Sequence, residues 1–224
     1  MRIIVAGSEG LIGKEICSSL IDSGHKVIKA DLLLGDDFTN ETYVKNFFKQ
    51  HKARALVNLF ALNHHIDNTN LNNNLFDISL ESFEKFLKIN VASLFLVCRE
   101  FARNNKKSSI VNFSSTYGVV SPRLDIYEDD QKHIGYSVSK GAVLMLSKHL
   151  ATHLAPYCRV NTIIPGGVRH EQPQSFKRKY AKHTPLKRMM DVKEIYGAVE
   201  FLISSRASYV TGAELKVDGG WTLW

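Results

Sequence analysis

Strand-like and helix-like segments alternate along this chain from its first residues to its last, and that order restricts the fold more than any other feature. An apolar β-run at residues 2–6 feeds a glycine-rich turn, a helix to about Ser23 and a second apolar run from Val27 to Ala30 that ends in Asp31. The pattern then predicts a helix over Glu41 to His51, a buried strand over Ala55 to Phe60, one long amphipathic helix from Ser79 to Arg103 and a strand over Ser109 to Phe113. A helix over Ile134 to Ala155, a strand over Arg159 to Ile164, a helix from Asp191 to about Ser204 and a last strand at Glu214 to Val217 complete it. Right-handed crossovers between parallel strands place consecutive helices where each apolar sheet face needs cover, so the expectation is an α/β, doubly wound parallel sheet with helices on both faces. At 224 residues, one domain spanning 1–224 suffices.

The first turn reads Gly7-Ser8-Glu9-Gly10-Leu11-Ile12-Gly13, between a strand and a helix. In that setting Gly7 makes the tight turn, Gly10 lets backbone approach a pyrophosphate, and Gly13 lets the helix pack close to the sheet. The helix N-terminus, with Leu11 and Ile12, offers unpaired N–H groups to phosphate. The fold is then Rossmann-like and the ligand a dinucleotide. Asp31, ending the second strand, accepts the ribose hydroxyls of adenosine and repels a 2′-phosphate, which favours NAD over NADP. Glu9 adds a second negative charge, and Lys29 is read as solvated.

Tyr136-Ser137-Val138-Ser139-Lys140 puts a phenol and an ammonium four residues apart on one helical face. A nearby cation is expected to lower the phenol's pKa toward neutrality and let it exchange a proton. With these residues, Asn58, Asn90, Asn112-Phe113-Ser114-Ser115, Arg159-Val160-Asn161, Pro165-Gly166-Gly167 and Val217-Asp218-Gly219-Gly220 follow in an order that resembles the short-chain dehydrogenase/reductase family over essentially the whole chain. The resemblance implies that Ser115 orients the substrate oxygen, Tyr136 is the acid/base, Lys140 holds the nicotinamide ribose and tunes the phenol, and Asn90 supports a water relay to Lys140. It implies cofactor contacts at Asp37, in Asp37-Phe38, at Asn58, Phe60 and Ala61, and along Pro165-Gly166-Gly167-Val168. Ser115 is preferred to Ser114 because Gly118 follows it at the family's offset.

Four departures accompany the resemblance. The middle glycine comes one place early, Asn58-Leu59-Phe60-Ala61 replaces Asn-Asn-Ala-Gly, and Arg169-His170 stands after Val168 where a threonine is usual. The fourth is an insert: 20 residues lie between Ser115 and Tyr136 where about a dozen are usual, so a flap over about 119–133 is expected beside the site. The insert, with Tyr117 and its neighbours, looks like a subgroup associated with flagellin modification and nonulosonic-sugar synthesis. That likeness implies a sugar phosphate or nucleotide sugar as substrate, with Tyr117 on the substrate side, and carbohydrate metabolism as the setting.

Charge sharpens this picture. Lysine and arginine number 29 against 22 acids, a net +7, and between 169 and 188 seven cations face only Glu171, so +6 sits in one segment. That segment, about 168–190, is expected to be a lid whose Arg169 and Arg188 grip an anionic substrate. The competing readings are an oxoacyl carrier protein reductase-like enzyme that docks an acidic carrier there, and a non-catalytic Rossmann protein binding NAD or RNA. Cys17, Cys98 and Cys158 make no C-x-x-C pair and no apolar run reaches the length of a bilayer span, which points to reduced thiols, a cytoplasmic protein and no membrane partner. The histidines never pair with cysteine or carboxylate at ligand spacing on one predicted element, and His149 with His153, four apart on a helix, has no third ligand nearby, so no metal is expected. Trp221 and Trp224 suggest a buried tail, and the family's compact members imply a homo-oligomer, a homotetramer or a dimer. The asparagine-rich stretch from Asn63 to Asn74 is read as a solvated loop.

Overall fold

A computed structural model describes residues 1–63, 75–127 and 132–224; residues 64–74 of the asparagine-rich stretch, with His64-His65, and the acids Asp129-Asp130 of the insert lie outside them. Strands β1 (Arg2–Ala6), β2 (Lys26–Ala30), β3 (Ala55–Asn58), β4 (Ser108–Phe113), β5 (Cys158–Pro165) and β6 (Glu214–Val217) form one parallel sheet in the order β2-β1-β3-β4-β5-β6. The order reverses at β1, and the crevice at such a switch point is where this architecture receives a ligand.

Alternation along the strands assigns the two faces. Ile4, Leu56, Ile110 and Val160 pack beneath α2 (Glu41–Gln50), α4 (Ser93–Asn104) and α5 (Ile134–Leu154). Ile3, Val5, Val57, Val111 and Ile163 pack beneath α1 (Leu11–Asp22) and α7 (Tyr196–Ile203). Because both faces are covered, the inner strands read as continuous apolar runs and not as alternating ones. One polar seam crosses this core. Asn58 and Asn112 are register partners, Asn58 Nδ2 donates to Asn112 Oδ1 at 2.8 Å, and Asn112 Nδ2 donates to Ser147 Oγ of α5 at 2.9 Å.

The long helix expected from Ser79 departs from its pattern at one place. It forms as α3 (Leu80–Leu87), a π-helical turn over Lys88–Ala92, and then α4. Ser79 caps its start by accepting from Ser82 N–H. The helix predicted from Asp191 begins as a 3₁₀ turn, Val192–Ile195, behind an Asp191/Glu194 capping box, and continues as α7. The segment after β5 carries a helix, α6 (Gln174–His183), and its two ends meet in a bridge between Val168 and Met190. Trp221 is buried, stacked on Tyr180 of α6 at 4.2 Å, whereas Trp224 is exposed, so only the first of the two tryptophans secures the tail. Among the described residues no helix is long and apolar enough to cross a membrane.

Phe101 is fully buried between Phe48 and the sheet. Phe101→Ala is expected to lower unfolding stability in urea by about 3–5 kcal/mol. Tyr209→Ala, at a fully exposed ring, should leave the midpoint unchanged.

Candidate active site

A cleft of about 810 Å³ opens at the carboxyl ends of β1, β3, β4 and β5. Its floor is the glycine turn. Gly7 has φ +86°, and a Cβ there would meet Phe60 N at 2.4 Å; a Cβ on Gly13 would meet Gly7 O at 2.0 Å. These two glycines are demanded by the protein's own packing. Gly10 differs, since a Cβ there would meet only Gly7 O at 3.6 Å. It is exposed, lines the cleft and caps α1 without a side-chain hydrogen bond, so the first N–H groups of α1 face open space. This cradle fits a pyrophosphate in chemistry and shape.

Asp31 closes the cradle's outer side. Its Oδ2 accepts from Glu9 N–H at 3.0 Å and its Oδ1 from Leu33 N–H at 2.9 Å, which fixes the carboxylate beside the turn while leaving lone pairs for hydroxyl donors. Lys29 is not simply solvated: its Nζ lies 3.4 Å from Glu9.

The chemical end lies across the cleft. Tyr136 and Lys140 are buried on the first turns of α5, and Ser115 caps the short turn Thr116–Gly118 after β4. Ser114 Oγ donates to Lys140 O at 2.7 Å, so that hydroxyl is committed to α5 and Ser115 is the serine that hydrogen-bonds Tyr136. Lys140 Nζ donates to Phe113 O at 2.9 Å and stands 5.8 Å from the Tyr136 ring centre. The expected lowering of the phenol is not what dominates here. Burial holds Tyr136 above its ordinary range, and the Ser115 hydrogen bond pulls it back. The ammonium yields instead: burial, then repulsion from Lys132, brings Lys140 down to about 8.

Asn90 sits in the π turn, buried. Its Oδ1 accepts from Leu62 N–H at 2.7 Å, and its Nδ2 donates to Leu62 O at 3.1 Å and to Ser139 Oγ at 2.9 Å. Ser139 Oγ in turn donates to Tyr136 O at 2.8 Å. Asn90 therefore joins the loop after β3 to the helix that carries Tyr136 and Lys140.

Of the sequence-predicted residues, Gly7, Gly10, Leu11, Ile12, Gly13, Ala61, Ser115, Tyr117, Tyr136, Lys140, Pro165, Gly166, Gly167 and Val168 line the cleft. Several others do not. Phe38 packs in the core against Phe47 and Phe60, because an aromatic ring there fills space beneath α2. Asn58 gives its Nδ2 to Asn112 in the seam and does not line the cleft, and its buried Oδ1 has no hydrogen-bond partner among the described residues. Asp37 accepts from Thr39 N–H and Oγ1 in a local turn, which holds its pKa below the usual range. Arg169 and Arg188 also stand outside the cleft lining. Arg169 pairs with Asp191 at 3.1 Å, and Arg188 makes a two-pronged pair with Glu194 at 2.6 Å, both at the surface. The capping box of the following helix captures them, a partnership that the local charge count could not show.

Two features escaped the sequence reading. Lys132 lines the cleft with its Nζ 4.5 Å from the Tyr136 ring centre. It precedes α5, so helical spacing from Tyr136 could not place it. Second, Tyr117, Tyr127, Phe176 and Tyr180 form an aromatic wall: the Tyr117 and Tyr127 hydroxyls are 2.7 Å apart, Phe176 packs on Tyr127 and Tyr180, and Tyr180 Oη accepts from Gly167 N–H at 2.6 Å.

A family model described as Enoyl-(Acyl carrier protein) reductase matches residues 11–222. A post-translational flagellin modification protein A from Campylobacter coli is 30% identical, with 99% of this chain and 98% of that protein covered. The chain belongs to the short-chain dehydrogenase/reductase family. An L-xylulose reductase from Caenorhabditis elegans is 32% identical over 99% of this chain and 95% of its own. A short chain dehydrogenase from Leptospira borgpetersenii solved with bound NAD⁺ superposes with a TM-score of 0.88 at 28% identity, covering 99% of this chain and 92% of that one. The protein is thus an oxidoreductase of that family, which works with a nicotinamide cofactor.

Lys132 and Lys140 both fall from 10.5 to about 8 on folding. Between those values the unfolded chain binds more protons at these two lysines, so their contribution to the stability of the protein without cofactor rises as pH goes from about 8 to 10.5, while the buried thiols Cys17 and Cys98, raised to about 11 and about 12, contribute in the opposite sense above about 9. Lys140→Met should flatten that rise in pH-dependent urea titrations. At the other end of the cleft, Gly10→Ala should fold normally yet lose most nicotinamide dinucleotide affinity, while Gly13→Ala should lower the melting temperature itself.

Proposed function

We propose that this protein is an NAD(H)-dependent oxidoreductase that interconverts a secondary alcohol and a ketone on a polar sugar derivative. The reading is carried by one observation: Tyr136, bonded to Ser115 and beside Lys140, faces a cleft whose far end is an open glycine cradle closed by Asp31. Gly7 to Gly13 with the start of α1 would hold the pyrophosphate, Asp31 the adenosine ribose, and Pro165 to Val168 the nicotinamide side. The bound cofactor would supply the hydride acceptor or donor. In the oxidative direction Ser115 orients the carbinol oxygen and Tyr136 takes its proton while the C–H bond gives up hydride, leaving a carbonyl; reduction reverses each transfer. Lys140 adds positive charge that favours the phenolate. Asn90 acts as a positioning residue through Leu62 and Ser139.

Sugar chemistry is supported by the cleft's mixture of aromatic wall and polar groups, Asn63, His170, Gln172 and Ser175 among them, and by the named activity of the L-xylulose reductase relative. A sugar phosphate or nucleotide sugar fits that mixture. The excursion over 168–190, tied at Val168 and Met190, would serve as the lid, and the insert over 119–133 as its neighbour. Exposed Phe95, Val138 and Met145 on α4 and α5 offer an apolar outer face for a homo-oligomer, and three buried free thiols suit a reducing cytoplasm. The family model's description favours a second reading, a carrier-protein reductase that docks an acidic carrier on the exposed cations of α6; Asp31 and Glu9 weigh against the NADPH such enzymes usually take.

Calorimetry should show NAD binding at least tenfold tighter than NADP, with Asp31→Ala narrowing the gap; equal binding by the unmodified protein would remove the NAD assignment. In a screen of sugar phosphates and nucleotide sugars followed at the nicotinamide absorbance, Tyr136→Phe should cut kcat by about 100-fold or more with cofactor affinity retained. A variant with undiminished kcat would remove Tyr136 from the chemistry.

A further inference from the structure

Among the described residues the cleft is lined by two lysines and a histidine and by no aspartate or glutamate. One of the lysines has its work defined: Lys140 donates to Phe113 O and stands beside Tyr136. The other does not. Lys132 gives one N–H to the neutral amide oxygen of Asn63 and rests its ammonium over the Tyr136 ring face, and no described carboxylate forms an ion pair with it.

An ammonium has three donors, and one amide oxygen with a ring face leaves part of that capacity free and the charge without a counter-ion among the described residues. Burial pulls Lys132 down to about 8, and no anion among the described residues offsets it. A ligand in the cleft can therefore supply the counter-charge. The cofactor's own phosphates belong to the glycine cradle at the opposite end, so they are poorly placed to supply it. What remains is the substrate, whose reacting carbon must lie at Ser115 and Tyr136, within a few bonds of Lys132.

We infer that Lys132 is the anchor for an anionic group of the substrate, a carboxylate or a phosphate carried close to the reacting carbon. This rests on the oxidoreductase reading for where the reacting carbon lies, but the anion contact itself does not require turnover. It also moves the charge recognition from Arg169 and Arg188, which Asp191 and Glu194 already neutralise, to the insert beside Tyr136. The competing role, a cation that only favours the phenolate of Tyr136, predicts a different outcome: slower kcat and a displaced pH–rate profile with no change in affinity for anions.

Gluconate, glucose 6-phosphate and neutral sorbitol, titrated calorimetrically into the protein with and without saturating NADH, separate these cases. The unmodified protein should bind gluconate or glucose 6-phosphate at least tenfold more tightly than sorbitol. Lys132→Gln should lose roughly tenfold or more of that affinity, with sorbitol and NADH binding unchanged. Lys132→Arg should keep most of it. Which anion prevails tells carboxylate from phosphate. Equal binding of the anions by Lys132→Gln and the unmodified protein, or no preference for either anion over sorbitol, would overturn the inference. Failure of NADH to bind at all would instead strike the oxidoreductase reading, and the titrations without NADH would still decide the role of Lys132.

Discussion

The site depends on how α5 is held against the end of β4, and that contact is polar where most helix-to-sheet contacts in this molecule are apolar. Lys140 Nζ donates to Phe113 O, Ser114 Oγ donates to Lys140 O, and Asn112 Nδ2 donates to Ser147 Oγ. A Cβ on Gly118 would meet the Lys140 carbonyl at 2.7 Å, so the turn after β4 and the helix backbone are in direct contact. Apolar burial alone tolerates small rotations of a helix about its axis, because it is non-directional. Hydrogen bonds do not, and these three fix the rotation that turns Tyr136 toward Ser115. The buried face of α5 accordingly carries Tyr136, Ser139, Lys140 and Ser147, with Val143 the one large apolar side chain among them, before Leu150 and Ala151 make it wholly apolar.

The π turn at Lys88–Ala92 belongs to the same arrangement. One extra residue per turn breaks the regular spacing of the helix at Asn90, and a buried amide at that point reaches both the Leu62 backbone and the Ser139 hydroxyl. π turns recur at functional sites for this reason: they re-aim a single side chain without ending the helix.

Strand and helix order, the faces of the sheet, and the set Ser115, Tyr136, Lys140 were legible because each rests on local periodicity or on a motif of fixed spacing. The glycine turn was legible too, although the reason for each glycine differs. Gly7 and Gly13 answer to neighbouring backbone, and only Gly10 is left open to a ligand. The π turn was not legible, since the apolar pattern of residues 79–103 runs through it. Nor were the fates of Arg169 and Arg188, because their partners belong to a capping box on the next element. Lys132 went unnoticed since it approaches Tyr136 from the chain just before a helix, where spacing rules do not apply.

The stack of Trp221 on Tyr180 gives the molecule an optical property. Of its two tryptophans one is exposed and the other lies, buried, against the helix that spans the excursion over the cleft. Emission from Trp224 is a constant background of solvated indole, whereas Trp221 reports the polarity at the root of α6. Any ligand that draws α6 toward the glycine cradle, or lets it swing away, thus changes the tryptophan spectrum with no label attached, and rapid-mixing fluorescence can time that movement separately from the absorbance of the nicotinamide.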